Sequence, residues 1–330
     1  MTIEFAFGVP IFANPGQAIT PGNVELETGT TMDLARKAEA LGYDALWVPD
    51  HLMLGRDDAI LEGWSVMAAL AGSTTRVRLG LLHQANPFRH PALVAKMVAT
   101  LDQISGGRLI YYPDMGNQAR EHLAYGLPWS DDRAERIAHM VEGLELTLEL
   151  WSASEPVTFT GRYYHTSEAV CRPLPVQKPH PPIWMGEVHP DTLAACARYG
   201  QGWHSTPVSL PVLAQRLQAL GAACESAGRS VDDLEKAMAT QILVAPDRET
   251  VRRRYQEIFN LAATDDIPDS LNPAWLIGTP DEVEEKIRAY AEAGIGHFLL
   301  WFMDAPRGDG LQLFAEEVAP RFRQQSQSST

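Results

Sequence analysis

The 330-residue chain is 45% hydrophobic and 21% charged, with a formal net charge of -15 at pH 7, the composition of an ordinary globular protein. That charge argues against a nucleic-acid or anionic-membrane partner, whose phosphates it repels, and no apolar run reaches the ~18 residues of a membrane helix. Cys171, Cys196 and Cys224 are odd in number and form no CxxC pair, which points to reduced thiols in a cytoplasm. Pro10 and Pro15 interrupt the first apolar segment, so no signal peptide is expected.

Apolar, β-branched runs predict strands at residues 3–9, 45–48, 77–82, 109–112, 182–185, 202–205, 238–245 and 297–302. Helical spacing falls between them. Leu34, Ala38 and Leu41 share one face of a helix at 31–41 that Gly42 ends, and further helices are predicted at 64–71, 91–104 and 133–151. Strands alternating with helices imply a parallel sheet, either doubly wound or closed. No GxGxxG follows the first strand, which weakens the dinucleotide-binding open sheet. Eight units in one unbroken chain favour an α/β fold of the (β/α)8 TIM-barrel type. Residues 1–330 are expected to form a single domain, with insertions at about 152–181 and 262–279 and a disordered Gln/Ser/Thr-rich tail at 324–330.

In such a barrel the active site lies at the C-terminal ends of the strands. That rule selects Asp50 and His51 after the second strand, His83 and Asn86 after the third, and residues 113–117 after the fourth. It adds Gly186, Glu187, Val188 and His189 after the fifth, Trp203 and His204 at the sixth, and Trp301 at the eighth. Rings and amides outnumber carboxylates there, which ranks glycoside hydrolysis low. The rim histidines stand on separate strands without HExxH spacing, and the first strand lacks an HxH pair, so no metal centre is expected.

The strings "LGYDALWVPDH", "LAGSTTRVRLG", "PFRHPALVAKMVATLDQISGGRL", "AACARYGQGWHS", "GTPDEVEEKIRAYAEAGIGHFLLWFMDAP" and "LFAEEVAPRFR" run in order along nearly the whole chain. Together they resemble the luciferase-like flavin monooxygenase superfamily. The resemblance implies a barrel that binds FMN, or the deazaflavin F420, at the C-terminal rim. FMN members take FMNH2 from a separate flavin reductase and use O2. The leading reading is therefore a two-component FMN-dependent monooxygenase acting on a small apolar or amphipathic molecule. The alternatives are F420-dependent hydride transfer, and a flavin-binding or flavin-free barrel without redox turnover. A cytoplasmic homodimer with a small-molecule substrate, and with neither nucleic acid nor membrane as partner, completes the expectation.

Carried over residue by residue, the resemblance makes His51 the rim histidine that faces the flavin ring and relays a proton. Leu82 and His83 fall where the family often has a non-proline cis peptide against the ring, and Asn86 lies on the same rim. Gly186, Glu187, Val188 and Thr192 match the turn that cradles the cofactor phosphate, where free N–H groups and a helix N-terminus favour an anion. Trp203 lies beside that cradle, while Glu187 and Asp191 carry charge that opposes it. Many relatives have GVGxG after the fourth strand. Here the run is Tyr112-Pro113-Asp114-Met115-Gly116, with Arg120 the nearest cation. Asn117 stands where F420-using sugar-phosphate dehydrogenases carry a catalytic Glu. It cannot act as an acid, and joins His51 as a catalytic candidate that orients substrate through hydrogen bonds.

Overall fold

The structure is a computed structural model that describes residues 2–12, 26–186, 188–268 and 271–323. Among those residues eight parallel strands form a ring: β1 (Glu4–Gly8), β2 (Ala45–Val48), β3 (Arg78–Leu81), β4 (Leu109–Ile110), β5 (Trp184–Gly186), β6 (Gly202–Ser205), β7 (Glu235–Val244) and β8 (His297–Phe302). Neighbours in sequence are neighbours in the ring. β8 returns beside β1 with Glu4 opposite His297, and a bridge between Tyr111 and Ile183 joins β4 to β5. The α/β TIM barrel expected from the alternation is what forms. Glu187 and the tail at 324–330 lie outside the described residues.

The strands alternate in the way a closed sheet demands. Phe5, Phe7, Leu46, Val48, Phe298 and Leu300 face the helices, while Ala6, Ala45, Trp47, Trp184, Ala237 and Leu299 fill the barrel. Small residues make room for the indoles. A Cβ at Gly80 would stand 2.3 Å from Trp47, and one at Gly202 would stand 2.4 Å from Trp184. These glycines are spacers for ring burial, worth about 1.5–3 kcal/mol per large apolar side chain.

The helices around the ring include α1 (Thr28–Ala40), α2 (Gly63–Ser73), α3 (Pro91–Ser105), α4 (Ala119–Ala124) and α5 (Arg133–Ser152). Of these, α2, α3 and α5 start under a side-chain cap, from Glu62, His90 and Asp132. Pro91 opens α3 without an amide to satisfy, and Gly106 closes it in the left-handed region at φ 68. Asp132 caps α5 by accepting the Ala134 amide at 2.9 Å. Further on, α6 (Pro190–Tyr199) and α7 (Leu210–Ser226) flank β6.

Two rim segments leave the ladder. The Leu82–His83 peptide is cis, and Gln84–Ala85 then pairs with Pro113–Asp114 as a separate two-stranded piece above the barrel. The expected strand at 109–112 is accordingly shorter, because its continuation turns to this second pairing. Residues 152–181 fold back as a hairpin with antiparallel bridges at Val157–Ala169 and Thr160–His165. The Glu142 carboxylate on α5 clips it down, accepting the amides of Arg162, Tyr163 and Tyr164 at 2.9, 2.7 and 2.7 Å. Leu276–Gly278 adds a strand beside the upper half of β7.

Candidate functional site

At the C-terminal mouth, between β4, β5 and β6, lies a cavity of about 70 Å³ bordered by His83, Tyr112, Asp114, Gly186, Val188 and Arg216, among others. Its floor is a row of rings. His83 meets Tyr112 edge-on at 4.9 Å and His204 at 6.1 Å. The Ala239 amide donates to His204 Nε2 at 3.1 Å, so the ring proton sits on Nδ1, 3.3 Å from the Tyr112 hydroxyl. Burial holds the His204 pKa well below its usual value, and nearby His83, His297 and Arg216 push the same way. His204 is therefore a neutral support for Tyr112. That hydroxyl reaches to 2.0 Å from where a Cβ at residue 186 would stand, so the fifth-strand turn requires glycine at Gly186.

One corner of this cavity suits an anion. Arg216 Nη1 donates to Ser205 Oγ at 3.0 Å and to Thr206 Oγ1 at 2.8 Å. Ser205 gives its own proton to the Thr206 carbonyl at 2.9 Å, which leaves the Thr206 hydroxyl proton for a ligand. A guanidinium and a hydroxyl in a space of phosphate size fit a cofactor phosphate. Asp114 opposes them across the cavity. Its Oδ1 is occupied by the Gly116 amide at 2.8 Å and the Asn117 side-chain amide at 3.0 Å.

His51 stands on the neighbouring part of the rim, half-buried. Its Nδ1 lies 2.9 Å from Glu121 Oε1, while Glu121 Oε2 accepts the amides of Leu52 at 2.8 Å and Met53 at 3.3 Å. Burial alone would raise the Glu121 pKa. Its hydrogen bond and charge interaction with His51, and the two amides, outweigh that and hold the carboxyl below the usual carboxylate range. The turn is clamped on its other side as well. Arg89 grips buried Asp50 through 2.9 and 3.2 Å contacts and Glu62 at 2.6 Å.

Of the residues selected from the sequence, His83, Asp114, Gly186, Val188, Trp203 and His204 border the cavity. The Trp203 ring itself is fully buried in the helix-facing core. Leu82 and Trp301 each pack against the cluster that fills the barrel interior, and Phe12 approaches Trp301 at 6.3 Å, giving an apolar wall. Thr192 is buried within α6. Glu187 lies outside the described residues. The helix start at α6 offers an anion less than the sequence implied, because Pro190 has no amide proton and the His189 ring takes the Asp191 amide at 3.3 Å.

Three expected contacts are directed elsewhere. Asn86 donates to the Tyr164 hydroxyl at 2.8 Å, so it anchors the hairpin at 152–181. Arg120 points outward to Asp58 at 2.8 Å, an exposed pair that offers nothing to the cavity. Asn117 is exposed and spends its amide on Asp114, so it braces the turn. Nor does it cap the following helix, whose N-cap is Gln118.

Sequence reasoning missed Arg216, Thr206 and the partnership of Glu121 with His51. Arg216 follows buried Leu213 by three residues and precedes buried Leu220 by four, so helical phase could have placed it inward. Glu121 and His51 are 70 residues apart. No local pattern marks that pair.

At the opposite end of the barrel, Glu4, Glu235 and His297 bring ligand-type atoms within 4.8 Å of one another, the one such grouping among the described residues. Arg78 already lies among them, donating to Glu4, to Glu235 at 3.1 and 2.9 Å, and facing His297 at 3.3 Å. No helix among the described residues is long and apolar enough to cross a membrane.

Comparison with known proteins places this geometry. The profile of the luciferase-like monooxygenases matches residues 6–297. An F420-dependent glucose-6-phosphate dehydrogenase of Nakamurella multipartita is 30% identical over 315 residues, covering 88% of this chain and 91% of that protein. Among solved structures, an F420-dependent secondary alcohol dehydrogenase bound to an F420-acetone adduct superposes with a TM-score of 0.78 at 22% identity, covering 96% of this chain and 98% of the other. Riboflavin lyase with modified FMN and riboflavin superposes at 0.84 with 18% identity, over 99% and 92%.

Proposed function

The chain belongs to the luciferase-like monooxygenase family, and from that premise we propose that it is an F420-dependent oxidoreductase that interconverts an alcohol of apolar body and its carbonyl form. The observation that carries this reading is the 30% identity to an F420-dependent dehydrogenase over 88% of the chain. The riboflavin lyase, at 18% identity, speaks for the fold alone. FMN monooxygenation, the leading expectation from sequence, therefore yields to its F420 alternative.

Bound F420 supplies a carbon that accepts or donates hydride. The chain supplies the rest. Arg216 and the Thr206 hydroxyl, both at the cavity, would hold the cofactor's phosphate. Phe12, Leu82 and Trp301 form the wall that sheds water from the reacting carbon and accepts the substrate's apolar part. His51 has Nδ1 engaged, so Nε2 is the atom that takes the hydroxyl proton when the carbinol C–H bond breaks and a carbonyl forms. In the reverse direction the same nitrogen returns the proton. Asn117 has no proton to give and braces Asp114 instead, which separates this site from one built around a glutamic acid at that position.

The test is a panel of secondary alcohols deuterated at the carbinol carbon, incubated with purified protein and oxidised F420. Label on the reduced cofactor and a slowed rate are the expected results. Product that carries an oxygen atom from O2, formed only with FMNH2, would overturn the proposal.

A further inference from the structure

We propose that Glu121 is the positioning residue of the proton-handling unit, setting which nitrogen of His51 carries the ring proton. This rests on the reading of His51 given above. The two oxygens of Glu121 have separate duties. Oε1 faces His51 Nδ1 at 2.9 Å, and Oε2 accepts the Leu52 and Met53 amides at 2.8 and 3.3 Å. A carboxylate has no proton to donate, so a neutral His51 must give its proton to Oε1 from Nδ1. Nε2 is then a bare acceptor, the form that can take a proton from a hydroxyl.

The surroundings reinforce this assignment. Glu121 is buried, with 2% of its side chain exposed, whereas His51 keeps 21%. The imidazole is therefore the open member of the pair. The other charged groups at this turn are paired among themselves: Asp50 with Arg89, Arg89 with Glu62, and Arg120 with Asp58. The two amides that Glu121 holds belong to the residues directly after His51, so one side chain fixes both the ring and the backbone that carries it. Asp50, directly before His51, is held from the β3 side by Arg89. The same logic orients the imidazole in hydrolase triads, where a buried carboxylate selects the tautomer.

Glu121→Gln makes the assignment testable without removing the side chain. Glutamine has a single carbonyl oxygen, and the Leu52 and Met53 amides claim it. The NH2 group is then turned to His51 Nδ1, which must accept, and the ring proton moves to Nε2. ¹⁵N NMR of histidine-labelled, cofactor-free protein reads the tautomer directly, with His51→Ala identifying the signals. The wild type is expected to show the proton on Nδ1 and Glu121→Gln to show it on Nε2. In the deuterated-alcohol assay kcat is expected to fall about a hundredfold or more with KM nearly unchanged, and Glu121→Asp to recover part of it. A wild-type ring protonated on Nε2, or a tautomer indifferent to Glu121→Gln, would overturn the proposal, even if the variant proves too unstable to assay. Because the NMR arm needs no cofactor, failure of F420 to bind would sink the functional reading and leave this assignment standing.

Discussion

Both ends of this barrel carry a histidine paired with a glutamate, and they do opposite things. At the N-terminal end, His297 Nδ1 faces Glu4 at 3.1 Å while its Nε2 accepts the Trp47 indole proton at 3.0 Å. Arg78 completes the cluster, and His297 is 2% exposed. Every position on that ring is taken. At the C-terminal end, His51 Nδ1 faces Glu121 at 2.9 Å and the ring is open to the mouth. The residue types are alike, so type alone does not make a site. What differs is whether the second nitrogen is already used by the fold. A saturated pair is structure; a half-saturated pair can do chemistry.

The comparison can be broken most sharply at the mouth. His51→Ala is expected to lower kcat by roughly 10²–10⁴-fold with an unchanged melting temperature, read by turnover and thermal melts side by side. A variant that melted early but turned over normally would make His51 scaffold.

The next largest effect lies at the other end. Arg78→Ala leaves Glu4 and Glu235 without their shared cation, and about 1–3 kcal/mol of stability is expected to go with it. F420 affinity should stay as in the wild type, since the cluster sits a full strand length from the mouth. The same end governs acid unfolding. Burial acts to raise the Glu4 pKa, but the His297 hydrogen bond and Arg78 prevail and hold it at about 2, below its ordinary 4.5. A depressed carboxylate stabilises the fold fully above its unfolded value, and that contribution is lost as pH falls from about 4.5 toward 2. Melts across that window should show a steeper decline for the wild type than for Glu4→Gln.

Arg216→Ala is expected to weaken F420 binding roughly tenfold, the loss of one charge-assisted contact, without a comparable change in melting temperature. Smallest of all is Asn117→Ala. Losing its part-buried hydrogen bond to Asp114 should change stability by about 0.5–1 kcal/mol and turnover hardly at all. A large loss of turnover would return Asn117 to the chemistry.

The sequence made the barrel legible because period-two strands and 3.6-period helices repeat along the whole chain, and the strands at 45–48, 202–205 and 297–302 fall where expected. The rim was legible as a set of positions but not as a set of contacts. His83 and Gly186 reach the cavity because strand geometry alone puts them there. Asn86 and Arg120 occupy equally plausible positions, yet Tyr164 and Asp58 capture them, and each partner is more than 60 residues away in the chain. Glu121 stood unmarked as a site residue in the sequence because its carboxylate gains meaning only through His51 and the two amides after it. Long-range competition for hydrogen bonds decides such roles, and local pattern does not record it.

The most direct test of the account is a fluorescence titration of the purified chain with F420 and, in parallel, with FMN and FMNH2, repeated on Arg216→Ala. The account predicts saturable binding of F420, weaker binding of both FMN forms, and an F420 dissociation constant raised roughly tenfold in the variant. Tight binding of FMNH2 with no binding of F420, or F420 affinity indifferent to Arg216, would contradict it.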